Sequence, residues 1–172
     1  MTQPTNTRNL DNYGHAALEW SRAHDLLATQ WRTIDVTFFL ATVRPDGRPH
    51  STGVGAQWLD DTLYFVSGPN TRKSRNLAHN PACSVSVRLT GIDVTLEGEA
   101  HRVTDPSILE RVAAGYRDSG WPAEVEGEGF TAPFNAPSAG PGPWWVYRLT
   151  IHTAVGLATA APDGATAWDF SR

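Results

Sequence analysis

The run Thr71-Arg72-Lys73-Ser74-Arg75-Asn76 holds the densest set of groups able to do chemistry, and Lys73 is the only lysine among the chain's 14 basic residues. Upstream, the short aromatic and β-branched stretch Thr62-Leu63-Tyr64-Phe65-Val66-Ser67 reads as a strand, broken by Gly68-Pro69-Asn70. Asn70 or Thr71 then caps a short helix. The first N–H groups of a helix lack partners and carry partial positive charge, so an anion placed there gains hydrogen bonds. Arg72, Lys73 and Arg75 add cations and Ser74 a hydroxyl, which makes a phosphate site one reading. The other is a plain solvated helix end, although cations at a helix start are disfavoured unless something anionic offsets them.

Other chemistries have less support. None of His15, His24, His50, His79, His101 and His152 forms a pair at metal-ligand spacing, so no metal site is expected. A Gly-x-Ser-x-Gly elbow and the Rossmann and Walker glycine patterns are missing. Cys83 sits in an alternating strand with no neighbouring cation and reads as an inert core thiol. Glu97 and Glu99 share one strand face and read as solvated.

The elements that must position the basic run are mostly strands. Residues 1–13 are polar and aperiodic and are expected to be a flexible arm, followed by a single domain over residues 14–172. Ala17, Trp20, Ala23, Leu26, Leu27 and Trp31 recur at helical spacing, predicting a helix from Gly14 to Trp31 packed across a sheet. Val36 to Val43 is a buried strand, and Arg44-Pro45-Asp46-Gly47 turns it into a returning strand from Pro49 to Trp58. That returning strand is polar and rich in glycine. Glycine in a strand interior often marks the close approach of a ligand.

Cys83 to Leu89 and Ile92 to Val103 form a meander, and Asp105-Pro106 opens a helix to about Arg117. Residues 118–143 are rich in Gly, Pro and acids, with Trp121, Phe130 and Phe134 scattered among them. A loop of that length covers a site or stays disordered. Trp144 to Ile151, Ala154 to Ala158 and Ala167 to Phe170 read as closing strands. Trp144 and Trp145 either shape the pocket or, as favoured here, fill a subunit seam.

At 172 residues and 40% hydrophobic content the chain suits one domain with a full core. A net charge of -4 argues against a dedicated nucleic-acid binder, so any anion site is local. One cysteine excludes an internal disulfide framework, and neither a leader pattern nor an apolar run of about 20 residues is found. A cytoplasmic protein with no membrane partner is expected.

The hairpin Leu40-Ala41-Thr42-Val43-Arg44-Pro45-Asp46-Gly47-Arg48-Pro49-His50, the strand and turn Leu63 to Pro69, and the run Thr71 to Leu77 together resemble the split β-barrel flavin- and deazaflavin-binding proteins. These form the pyridoxamine-phosphate-oxidase-like superfamily, and the likeness is greatest to its actinobacterial flavin/deazaflavin branch. It extends from about Trp20 to Phe170, with Val94 to Ala100 and Gly164 to Phe170 as the usual later strands. The resemblance implies a mostly β fold, a split antiparallel β-barrel with peripheral helices, and a homodimer with a cofactor at the interface. It implies a phosphate held by Thr71, Arg72 and Lys73, with Asn76 behind them. The ring would lie along Thr52, Gly53 and Val54, with Gln57 at its far end and Val66 and Ser67 beside it, and Asp93 would reach it across the dimer.

The chain departs from that pattern in its tail. Where the oxidases carry a tryptophan and then a histidine and arginines, this chain has Leu157 or Ala158 and then Ala165-Thr166-Ala167-Trp168-Asp169. Asp169 would repel a substrate phosphate, so vitamin B6 synthesis is not expected. The implied activity is hydride transfer between bound coenzyme F420 and a small organic substrate, with Tyr147, Ser51 or water as proton donor. FMN is the alternative cofactor, and a non-catalytic flavin- or F420-binding carrier the alternative of another class. Arg75 and Arg48 would extend a cationic track toward the glutamates of an F420 tail.

Overall fold

The computed structural model describes residues 2–33 and 36–170. Among them eleven strands and three helices follow in order. They are β1 (Asn6–Asn9), α1 (Trp20–Gln30), β2 (Phe38–Val43), β3 (Pro49–Val54), β4 (Ala56–Leu59), β5 (Thr62–Ser67) and α2 (Arg72–His79). After them come β6 (Ala82–Leu89), β7 (Ile92–Arg102), α3 (Pro106–Asp118), β8 (Glu124–Glu126), β9 (Gly129–Thr131), β10 (Trp145–Ala158) and β11 (Ala165–Asp169). Every pairing is antiparallel, in the order β1-β11-β10-β7-β6-β2-β3, and β10 also pairs with β5, which pairs with β4. This is the split, unclosed antiparallel β-barrel with flanking helices that the sequence implied.

The split occurs along β10. Residues 145–149 pair with β5, whereas residues 153–157 pair with β11, and the register against β7 slips between Ile151 and Thr153. The bulge kinks the strand so that its two halves can serve two branches of the sheet. Gly98 lies opposite it, where any Cβ would run into the Thr150 carbonyl. The two strands expected at residues 144–151 and 154–158 are therefore one long strand, because a bulge interrupts the side-chain period without ending the ladder.

Two cores flank the sheet. Leu27, Leu40, Leu63, Phe65, Val85, Ile92, Leu96 and Trp168 fill the larger, under α1, and Leu109, Val112, Ala113, Phe130 and Val146 fill the smaller, under α3. Residues 14–19 do not join α1 as expected. Their backbone is committed elsewhere: Leu18 N donates to Thr166 Oγ1 at 2.8 Å and Leu18 O accepts from Trp168 Nε1 at 3.2 Å. Within the expected arm, Asn6–Asn9 pair with β11 and Arg8 forms an ion pair with Asp169 at 3.2 Å. All four side chains of β1 are exposed, which is why no hydrophobic period announced it. No helix among the described residues is long and apolar enough to cross a membrane.

Candidate functional site

β3 and β5 end side by side, and α2 begins where β5 leaves off. Thr71 caps α2, its Oγ1 accepting from Ser74 N at 3.4 Å and donating to Gly68 O at 2.9 Å. Ser67 Oγ lies 2.9 Å from Thr71 Oγ1 and 2.8 Å from Ser74 Oγ, so the three hydroxyls form a closed cluster behind the turn. The strand ends and the start of α2 form one wall of a cleft of about 350 Å³, made by Gly53, Val54, Gly55, Val66, Ser67, Gly68 and Lys73. Phe134 and residues 136–139 form the facing wall, and Tyr116, Trp121 and Trp144 the base.

The facing wall comes from the glycine- and proline-rich stretch 118–143. Its ends are tied by the β8–β9 hairpin and by a bridge in which Phe130 N donates to Trp144 O at 2.7 Å. A tight turn, with Gly140 N donating to Ala136 O at 2.8 Å, presents Ala139 to the cleft. Gly68 is required there, because a Cβ would lie 2.7 Å from that of Ala139. Trp144, expected in a subunit seam, is instead buried in its own chain, 5.9 Å from the Trp121 ring. Trp145 is half-buried beneath the Arg102 guanidinium, 3.9 Å above its ring.

Lys73 is half-buried and makes no hydrogen bond or ion pair among the described residues, and burial lowers its pKa. It does not stand alone. Burial and then the positive charges of Arg72, Arg44 and Lys73 lower the pKa of His50. Among the described residues no carboxylate offsets them. His50 Nδ1 and Arg44 Nε are both shielded from solvent without a partner. Buried polar atoms in native proteins are nearly always bonded, so the Arg44 Nε donor, with an unpaired lysine and an unpartnered imidazole nitrogen beside it, marks a place for a polar ligand. Arg48 was expected to extend this cationic track, but it closes the turn onto Asp46.

The expected site residues fall into groups. Gly53, Val54, Val66, Ser67 and Lys73 line the cleft, with Thr52 between His50 and Val54 on the inward side of β3. Thr71 is the helix cap, and Arg72 is exposed at the first position of α2. Gln57 and Asn76 are not brought to the cleft. Gln57 is fully buried with Nε2 donating to Val112 O at 2.9 Å, because the break at Gly55 turns β4 under α3. Asn76 Nδ2 donates to Thr42 Oγ1 at 2.9 Å and pins α2 to β2.

Asp93 lies apart, bonded at 2.8 Å through each oxygen to Arg88, which holds its carboxyl below the usual range. Tyr147 is buried and stacked on Phe65, and burial raises its pKa. Burial pushes the Cys83 thiol up to about 12, in keeping with an inert core group. Arg44, His50, Tyr116, Trp121 and Phe134 were missed as site residues. His50 was findable, since a period of two puts it on one face with Thr52 and Val54.

The pyridoxamine 5'-phosphate oxidase family model matches residues 30–138. Over 82 residues the chain is 34% identical to the pyridoxine/pyridoxamine 5'-phosphate oxidase of Acidothermus cellulolyticus, an alignment covering 46% of this chain and 37% of that one. It thus spans little more than a third of the curated relative it matches. Among solved structures, a conserved hypothetical protein from Mycobacterium tuberculosis superposes with a TM-score of 0.59 at 20% identity, covering 92% of this chain and 89% of that one. An F420 reductase superposes with a TM-score of 0.51 at 22% identity, covering 76% and 94%. At these identities the structures establish the fold alone, whereas the family model covers more than half of the sequence. The chain belongs to the pyridoxamine 5'-phosphate oxidase family of split-barrel flavin-binding proteins.

Proposed function

We propose that this protein is an oxidoreductase that holds coenzyme F420 in the cleft between β3, β5 and residues 134–139 and serves hydride transfer between it and a small organic substrate. The observation that carries this reading is an apolar cleft lined by Lys73, whose charge acts on His50 together with those of Arg72 and Arg44, beside two shielded polar atoms without a partner among the described residues. A flat ring with an anionic tail matches both halves. Lys73, with Arg72, Arg44 and His50, would bind the phosphate, and Gly53 and Gly55 would let backbone N–H groups approach the ring edge. Trp121, Trp144 and Phe134 would exclude water. When bound, the deazaflavin supplies the hydride chemistry, and the protein supplies position and shielding. The fold shared with an F420 reductase supports this ring.

A homodimer also belongs to this reading. Register places Gly53, Phe39, Ser86, Thr95 and Val155 in one row across the sheet, with Asp93 and Leu157 on the same outer face. Phe39 and Leu157 are each 51% exposed there, an apolar surface that a second copy would cover. A ring lying along Gly53 would then be within reach of the partner's Asp93.

Titration of the purified protein with F420 should quench the cofactor's fluorescence saturably at micromolar levels. A yellow protein with flavin absorbance would assign the ring to FMN instead. Binding of neither would remove both enzymatic readings, and binding without turnover against quinones, enones or tetrapyrroles would favour a carrier. Gly53→Val tests the ring position. A Cβ at Gly53 meets only Thr37 Cγ2, at 3.7 Å, so the fold accepts it and stability should hold or rise. Affinity should fall about tenfold, because the added methyls project from the outer face where a ring lying along Gly53 would rest, and overpacking costs roughly 1–3 kcal/mol. An unchanged dissociation constant would move the ring off this strand.

A further inference from the structure

His50 is the one titratable group of the cationic cluster whose charge can change near neutral pH, and it stands in an unusual position. Its Nδ1 is shielded from solvent and has no hydrogen-bond partner among the described residues. From the turn after β2, Arg44 faces it, and from β2 the neutral Thr42 hydroxyl donates to the His50 carbonyl at 3.4 Å. From α2, Arg72 and Lys73 face it, with the neutral Asn76 amide tied to Thr42. Asp46, the carboxylate of the same hairpin, is occupied by Arg48. One strand further, Cys83 pairs with Thr42, and its buried thiol stays neutral.

We propose, resting on the anion-site reading above, that an anion bound among Arg44, Arg72 and Lys73 draws a proton from solvent onto His50, whose imidazolium then becomes a hydrogen-bond donor to that anion. The balance is simple: neutral imidazole gains one proton, no electron moves, and the new N–H points at an acceptor that was missing. With the site empty, burial and three cations disfavour the charged ring, so His50 titrates below the ordinary 6.5. A bound anion reverses the local field and raises that pKa. Between the two values each binding event takes up a proton, so affinity weakens as pH rises through the window and levels off above it. This makes His50 an anion-binding residue in its own right and couples cofactor loading to pH.

The test follows the His50 imidazole by NMR from pH 5 to 8 in sodium sulfate and in sodium chloride at matched ionic strength. Sulfate suits the purpose because its own charge is constant over this range. His50→Gln identifies the resonance among six histidines and keeps a polar group of similar reach. An upward shift of about one unit in sulfate, with amide shifts at Thr71 to Ser74, is the expected result, since an opposite charge at contact distance moves a pKa by about 1–3 units. If sulfate shifts the α2 amides while His50 titrates unchanged, the proton linkage is wrong and the anion site stands. If sulfate moves neither, the site itself is wrong and the linkage goes with it.

Discussion

Replacing Lys73 by alanine is expected to weaken cofactor binding about 10- to 150-fold while leaving the melting temperature unchanged or slightly higher. The size follows from the lost charged hydrogen bond, about 1.5–3 kcal/mol, at 1.4 kcal/mol per tenfold. The unusual half is the stability. A lysine that supports the fold has a carboxylate or carbonyl partner, and its loss destabilises. Lys73 has none among the described residues, is half-buried, and lies near enough to His50 to depress its pKa alongside Arg72 and Arg44. In the empty protein it therefore contributes desolvation cost and repulsion, both of which disappear in Lys73→Ala.

Calorimetric titration with F420 or FMN, beside thermal melts of the empty protein, reads both quantities. Loss of affinity with loss of stability would make Lys73 a structural residue whose removal disturbs α2. An unchanged dissociation constant would place the phosphate elsewhere. Lys73→Arg should restore part of the affinity, because the charge returns but a planar fork replaces a compact ammonium.

The same residues show what was legible in the sequence. β2, β6, β7 and α3 follow from hydrophobic period and turn chemistry almost to the residue, since each buries one regular face, and β5, buried on both faces, follows from its aromatic and β-branched run. Lys73 and the glycines of β3 were also legible, because a lone lysine after a strand-ending turn and glycines inside a strand both break local rules. Gln57 turns away from the cleft because one irregular residue, Gly55, resets which way β4 points, and no periodicity survives such a break. The face that His50 occupies was legible, but Arg44 Nε and His50 Nδ1 stand out by lacking a partner, and absence of a partner exists only in three dimensions. The wall from residues 134–139 was unreadable for a related reason: its shape rests on backbone hydrogen bonds, which carry little side-chain signature.

Trp168→Ala should lower stability by about 3–5 kcal/mol, the usual cost of deleting a large aromatic from a core. For a chain of 172 residues this is a fall in melting temperature of roughly 6–20 °C, at about 2–4 °C per kcal/mol. Trp168 lies in the tail where the family resemblance raised the question of ligand contact, and its surroundings answer as a core. It is fully buried, its ring lies 5.4 Å from that of Trp20, and its Nε1 donates to Leu18 O at 3.2 Å. Gly156 on the neighbouring strand makes room for it, since a Cβ there would sit 2.6 Å from the ring. The alanine variant leaves a cavity that Trp20 and Leu18 cannot fill and an orphaned carbonyl beside it. Trp168→Phe keeps most of the ring and should recover over half of the loss, the remainder reporting the Leu18 bond. Measured per folded molecule, cofactor affinity should not change in either variant, because nothing of Trp168 lines the cleft. A variant that stays folded yet loses the cofactor would instead put this side chain in the binding site, and with it the β11 tail.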